Sequence, residues 1–114
     1  MRILIIKTKE DPQWGDIENS PEAMKQVVGG TELEIFPTLV RDVVIVADWD
    51  AKIYNKPCNF YTEKDIIAGD VFCVGMRGDA FVDITEDQVR AMLAVYLPDS
   101  PSKSFYKQLF PEKE

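Results

Sequence analysis

Three stretches of the chain are apolar at consecutive positions, and they set the frame for the rest. Arg2 to Thr8 contains Ile3-Leu4-Ile5-Ile6, Val43 to Ala47 reads Val-Val-Ile-Val-Ala, and Asp70 to Met76 contains Val71-Phe72-Cys73-Val74. Short runs of this kind predict strands: the first covered on both faces, the second, without alternation, more buried than a strand with one wet face, and the third a further strand. Thr31 to Phe36 instead alternates polar and apolar residues, which predicts a strand with one wet face, ended by Pro37.

Two segments carry helical spacing with matching stop signals. Ser20-Pro21-Glu22 places a cap hydroxyl, a first-turn proline and an acid at the start of a helix running to Val28. Gly29 can take the left-handed conformation that ends it. Met24, Val27 and Val28 form its apolar stripe. In the second segment Thr85 and Gln88 make a capping box, with Ile84 and Val89 in the positions of a hydrophobic staple. That helix is predicted over Glu86 to Leu97, burying Val89, Met92, Leu93 and Tyr96, and Pro98 stops it.

The remaining elements are read from turn chemistry. Lys9 to Gly15, with Asp11-Pro12, is predicted to be a loop. Asp48-Trp49-Asp50-Ala51 reads as a tight connection to a short strand at Lys52 to Tyr54, forming a hairpin. Asn55 to Lys64 mixes Asn55, Pro57 and Asn59 with Phe60 and Tyr61 and reads as an ordered loop. Arg77-Gly78-Asp79 turns the chain into a strand at Ala80 to Asp83. The expected fold is a single α+β domain over 1–98, with a mixed, mainly antiparallel sheet of about five strands and two helices on one face. Residues 99–114 form a C-terminal tail holding Phe105, Leu109 and Phe110, either frayed or docked as a short helix.

With 114 residues, 46% of them apolar, the chain is long enough for one self-sufficient core. It contains no histidine. That removes the commonest general base, the commonest metal ligand and the usual partner of a catalytic serine or cysteine. An enzyme built from this chain would have to work through carboxylate, lysine, tyrosine or cysteine. A formal charge of −7 and a pI near 4.6 disfavour nucleic-acid backbones and anionic membranes as partners and permit basic protein surfaces. The apolar run at the first residues is too short for a signal-peptide core or a membrane span, so a cytoplasmic protein is expected.

Cys58 and Cys73 lack the spacing of a zinc site or a redox motif, and reduced thiols are expected, with Cys73 packed as a small hydrophobe and a disulfide between the two as the alternative. Cys58 as a nucleophile would lack a base beside it. Asp79, Asp83, Glu86 and Asp87 cluster around the last turn but match no calcium loop, and acids in a first helical turn already complement the helix dipole. No metal and no cofactor is therefore expected. The tripeptide Arg77-Gly78-Asp79 is ordinary turn chemistry, and Gly29-Gly30 follow a helix where a phosphate cradle would precede one.

The grouping that exceeds structural need is Arg41, Trp49, Tyr54, Asn55, Asn59, Phe60 and Tyr61. Rigid aromatics beside Arg and Asn offer a recognition surface large contact area at low entropic cost. The competing reading makes Phe60 and Tyr54 core and lets the asparagines shape turns.

Three blocks carry a resemblance. They are Val28-Gly29-Gly30 with the acidic strand after it, Asp65 to Gly75, and Asp79 to Gln88. In that order they resemble a small domain-of-unknown-function family found in phages and conjugative elements of Firmicutes, over roughly Arg2 to Tyr96. Members often carry a Leu-Pro-x-Asn-Arg-like stretch after the hairpin; Lys56-Pro57-Cys58-Asn59-Phe60 keeps the Pro and Asn and lacks the Arg. The family brings no activity to transfer, but the resemblance implies a setting in which small acidic proteins bind and disable host components. The leading expectation is a non-enzymatic binding protein that engages a host protein through Trp49, Tyr54, Asn55, Asn59 and Tyr61. The alternative is a protein that sequesters a small anionic or nucleotide-like ligand, with a pocket at Asn55 to Tyr61 faced by Arg41 or Arg77, and an enzyme working without histidine is the third reading.

Overall fold

The computed structural model describes residues 1–97 and 109–110, so the expectations for the rest of the tail lie outside the described residues. Among the described residues ten elements follow in order. They are β1 (Arg2–Ile6), β2 (Gln13–Asp16), α1 (Pro21–Val28), β3 (Leu33–Pro37), β4 (Val43–Asp48), β5 (Cys58–Tyr61), β6 (Ile66–Ala68), β7 (Val71–Arg77), β8 (Ala80–Val82) and α2 (Glu86–Tyr96). Six strands make one sheet in the order β2-β1-β7-β4-β3, with β8 also paired to β7, and β5 and β6 pair separately as a two-stranded sheet. Every pairing among the described residues is antiparallel. The fold is thus α+β with a mainly antiparallel sheet.

β7 lies at the centre because its apolar run lets it take a neighbour on each edge and cover on each face. Along one edge it meets β1 through Leu4↔Cys73 and then β8 through Gly75↔Val82; along the other it meets β4 through Ile45↔Cys73. Successive residues of these strands point to opposite faces. Leu4, Ile45 and Cys73 enter one apolar cluster with Val89, Met92, Leu93 and Tyr96 of α2, whereas Ile3, Val46, Phe72 and Val74 enter another with Met24 and Val28 of α1.

The two helices therefore cover opposite faces of the sheet, which corrects the expectation of both on one face. The unbroken apolar runs in β1, β4 and β7 require it, since helices on one face would leave Ile3, Val46, Phe72 and Val74 in water. The face covered by α2 is shared with the β5–β6 sheet, which contributes Phe60 and Ile67 to the same cluster.

Both helix starts follow their sequence signals. The Ser20 hydroxyl accepts the Ala23 N–H, and Gly29 closes α1 at φ 67° with its N–H on the Lys25 carbonyl. In α2 both halves of the capping box form: Thr85 Oγ1 accepts the Gln88 N–H at 3.1 Å, and Gln88 Oε1 accepts the Thr85 N–H at 3.0 Å. Ile84 and Val89, the staple pair, are fully buried in one cluster.

Three local expectations are corrected. Residues 13–16 form edge strand β2 in place of a loop, because pairing with β1 from Arg2↔Asp16 to Ile5↔Gln13 orders a segment with no strand pattern of its own. No strand forms at Lys52 to Tyr54. The chain there coils in successive turns, Tyr54 N–H to Asp50 carbonyl and Lys56 N–H to Ala51 carbonyl. Within Asn55 to Lys64, expected to be irregular, Cys58–Tyr61 is strand β5, paired to β6 with an irregularity between Cys58 and Phe60.

Candidate functional site

The region with surface character lies at the end of the sheet where β4 finishes and β7 begins. Its anchor is Asp48, a buried charged side chain at the last position of β4, only 4% exposed. Asp48 Oδ1 accepts the Asp50 N–H at 3.0 Å, a local turn that bends the chain out of the strand. Its other oxygen, Oδ2, pairs with Lys56 Nζ at 2.8 Å. The same ammonium donates to the carbonyls of Val28 and Gly29 at 3.1 and 3.0 Å.

Lys56 thus satisfies the free carbonyl end of α1 and neutralises a buried carboxylate at once, using all three of its donors. The pair also explains Gly30, where a Cβ would collide with the Asp48 carboxylate. Asn55, at φ 55°, supplies the left-handed step that delivers Lys56 back to Asp48.

Held between Asp48 and Lys56, the 49–55 turn buries Ala51 and leaves its large side chains in water. Trp49 is 60%, Ile53 74% and Tyr54 70% exposed. The β5–β6 sheet extends this surface. Tyr61 and Ile66 face each other across the pair and are 66% and 47% exposed. Trp49, Lys52, Glu34 and Ile66 line one small cleft, and Lys52 and Asp65 form an ion pair at 3.7 Å that bridges the turn to the β5–β6 loop.

Burial raises the Glu34 carboxyl above its usual value, Lys52 opposes the rise and Asp65 adds to it. A carboxylate so shifted is a conventional sign of general acid chemistry. The cleft beside it encloses ≈ 10 Å³, room for about one water and no substrate. Its floor of Phe36, Ala47 and Ala68 is a packing seam between the main sheet and the β5–β6 sheet.

Of the residues singled out from sequence, Trp49, Tyr54, Asn55 and Tyr61 are exposed and belong to this end of the molecule. Asn59 sits there too and holds the structure together. Its amide donates to the carbonyls of Ile6 at 2.8 Å and Gly69 at 2.9 Å, which staples β5 to the sheet. Phe60 is buried core, 6.0 Å from the Tyr96 ring. Arg41 and Arg77 are at the other end of β7, where the Met76 N–H meets the Asp42 carbonyl. The seven residues of β7 put about 20 Å between the two ends at roughly 3.3 Å per residue. The arginines and the Asn55 to Tyr61 segment therefore share no pocket. Ile53, Ile66 and Lys56 also belong to this region, and no sequence pattern marks them, since their roles come from pairings across the fold.

Several titratable groups elsewhere serve the structure. Asp83 accepts the Arg2 N–H at 2.8 Å, and the Tyr96 hydroxyl accepts the Leu39 N–H and donates to Glu63. Cys73 is a fully buried free thiol and Cys58 an exposed one. Among the described residues no group of three or more Cys, Asp or Glu side chains is arranged to hold a metal ion, and no helix is long and apolar enough to cross a membrane.

The protein is thus a sheet domain faced by one helix on each side, with an apolar, acid-rimmed turn at one end. The family model for a domain of unknown function (DUF3846) matches residues 1–97, and the chain belongs to that family. No curated protein and no solved structure matches the chain.

Proposed function

We propose that this domain is a non-enzymatic binding protein of phage or conjugative-element origin, acting in the host cytoplasm, and that it engages a host protein through the 49–55 turn and the β5–β6 sheet. The observation that carries the reading is the exposure of Trp49, Ile53, Tyr54, Tyr61 and Ile66 in one region, each roughly half exposed or more. Exposed apolar clusters of that kind mark interaction surfaces, and aromatic anchors dominate the energy of the interfaces they enter.

Charge narrows the partner. Glu32, whose carbonyl accepts the Trp49 N–H, Asp50 within the turn, and Glu34 and Asp65 beside Lys52 put acids around the region, and Lys52 is already paired with Asp65. A partner presenting an apolar patch flanked by Lys or Arg complements this rim, and the net charge of −7 would speed its approach.

The test begins with affinity capture from a host lysate and identification by mass spectrometry, followed by titration of the purified partner. Trp49→Ala and Tyr61→Ala together should weaken binding at least a hundredfold while circular dichroism stays unchanged. A partner that binds the double variant as tightly as the parent would remove this surface from consideration.

A further inference from the structure

At the β2 edge of the sheet, residues 109–110 pack between strand β2 and helix α2. Trp14 stands on edge strand β2 opposite Leu4 of β1. Its indole N–H donates to the Leu109 carbonyl at 2.8 Å, and its ring meets the Phe110 ring edge to face, 6.1 Å between centroids at 89°. Arg90 of α2 lays its guanidinium over Phe110 at 3.8 Å, and Arg2 does the same over Trp14 at 3.7 Å. Leu109 and Phe110 are 4% and 2% exposed and join the cluster of Leu4, Val89 and Leu93.

These contacts have the form of a peptide site. One donor reads a main-chain carbonyl, an aromatic wall and a cation hold a ring, and an apolar floor takes a leucine. Arg2, Trp14 and Arg90 all fall inside the family match at 1–97, whereas Leu109 and Phe110 fall outside it. The family domain supplies the groove and a separate segment supplies the occupant.

We infer that the groove between β2 and α2 is a binding site for a Leu-Phe segment, which this chain occupies in cis and which the same segment of a second copy can occupy in trans. The tethered segment competes at an effective concentration of the order of millimolar, so the intact chain hides the site.

The test uses the full chain and a fluorescein-labelled peptide of residues 105–114, followed by anisotropy. Phe110→Ala in the protein should open the groove, giving saturable binding at least tenfold tighter than to the parent. The peptide bearing Phe110→Ala should bind neither protein. Equal affinity for the two proteins, or no binding to a variant whose circular dichroism matches the parent, overturns the inference. Should Phe110→Ala fail to fold, hydrogen exchange on the parent decides. The amides of Leu109 and Phe110 should exchange at least a hundredfold faster than those of β7, because a replaceable segment leaves without global unfolding. Exchange at the rate of β7 overturns it.

Discussion

Helix α2 and the 49–55 turn are similarly rich in large apolar side chains, yet one buries them and the other displays them. In α2 the apolar positions recur at i, i+3, i+4 and i+7, so Val89, Met92, Leu93 and Tyr96 share one face and all are buried. The turn has no period to gather Trp49, Ile53 and Tyr54, and only Ala51 faces inward. Hydrophobicity alone does not bury a residue. Regular spacing gathers apolar side chains onto one face to be buried, and a segment held by an ion pair and its own backbone turns can keep aromatics in water. The same contrast separates the sheet centre from the β5–β6 sheet, where Cys73 is enclosed and Cys58 is open.

The thiols give the largest contrast to measure. Burial pushes the Cys73 thiol up to about 12, so it is protonated at neutral pH as well as inaccessible. With Ellman's reagent at pH 8, Cys58 should react at least a thousandfold faster than Cys73, which must await an opening of the core costing on the order of 5 kcal/mol or more. In mild reagent the protein should titrate one thiol, and Cys58→Ser should abolish that fast phase. Two fast thiols would mean that β7 is not the enclosed centre of the sheet.

The packing of α2 comes next. Leu93 is fully buried in the middle of the stripe, so Leu93→Ala should cost about 2 to 5 kcal/mol in urea or thermal unfolding through lost transfer energy and a residual cavity. Thr85→Ala removes only the cap, about 1 kcal/mol. A reversal of that order would break the distinction between what packs and what merely starts a helix.

What is legible in the sequence divides along this same line. Periodic runs and caps specify their surroundings locally, which is why β1, β4, β7, α1 and the boundaries of α2 can be read directly. Contacts between distant positions leave no local trace. β2 owes its existence to pairing with β1, β5 to the Asn59 amide on Ile6 and Gly69, and the turn at 52–54 to Asp48 and Lys56. The arrangement of helices is within reach, because strands apolar at every position already imply a cover on each face. The site is half legible: aromatics in a segment without period stand out, whereas the 20 Å or so that separates Arg41 and Arg77 from it, at roughly 3.3 Å per strand residue, depends on which end of β7 each loop meets.

The Asp48–Lys56 pair tests what holds the display in place. Lys56→Ala leaves Asp48 buried without its cation and the α1 carbonyls without a donor, though the Lys56 side chain is partly open to water, so the cost should be about 1 to 3 kcal/mol. Lys56→Met in an Asp48→Leu background should recover part of it, since a matched apolar pair leaves no orphaned charge, and urea unfolding of the two variants measures the difference. If Lys56→Ala alone were neutral, the turn would be held by its backbone hydrogen bonds and the ion pair would be incidental.

The smallest effect on stability is expected where the effect on binding should be greatest. Trp49 and Tyr61 are both more than half exposed, and neither belongs to either buried cluster. Surface substitutions away from caps and networks generally change stability by no more than about 0.5 kcal/mol. Trp49→Ala and Tyr61→Ala should therefore each leave the urea midpoint nearly unchanged, and removing apolar surface from water should raise solubility. A loss of about 2 kcal/mol or more at either position, the size of a core truncation, would make that side chain part of the core, collapse the contrast with α2, and remove the physical reason for assigning the turn to a partner.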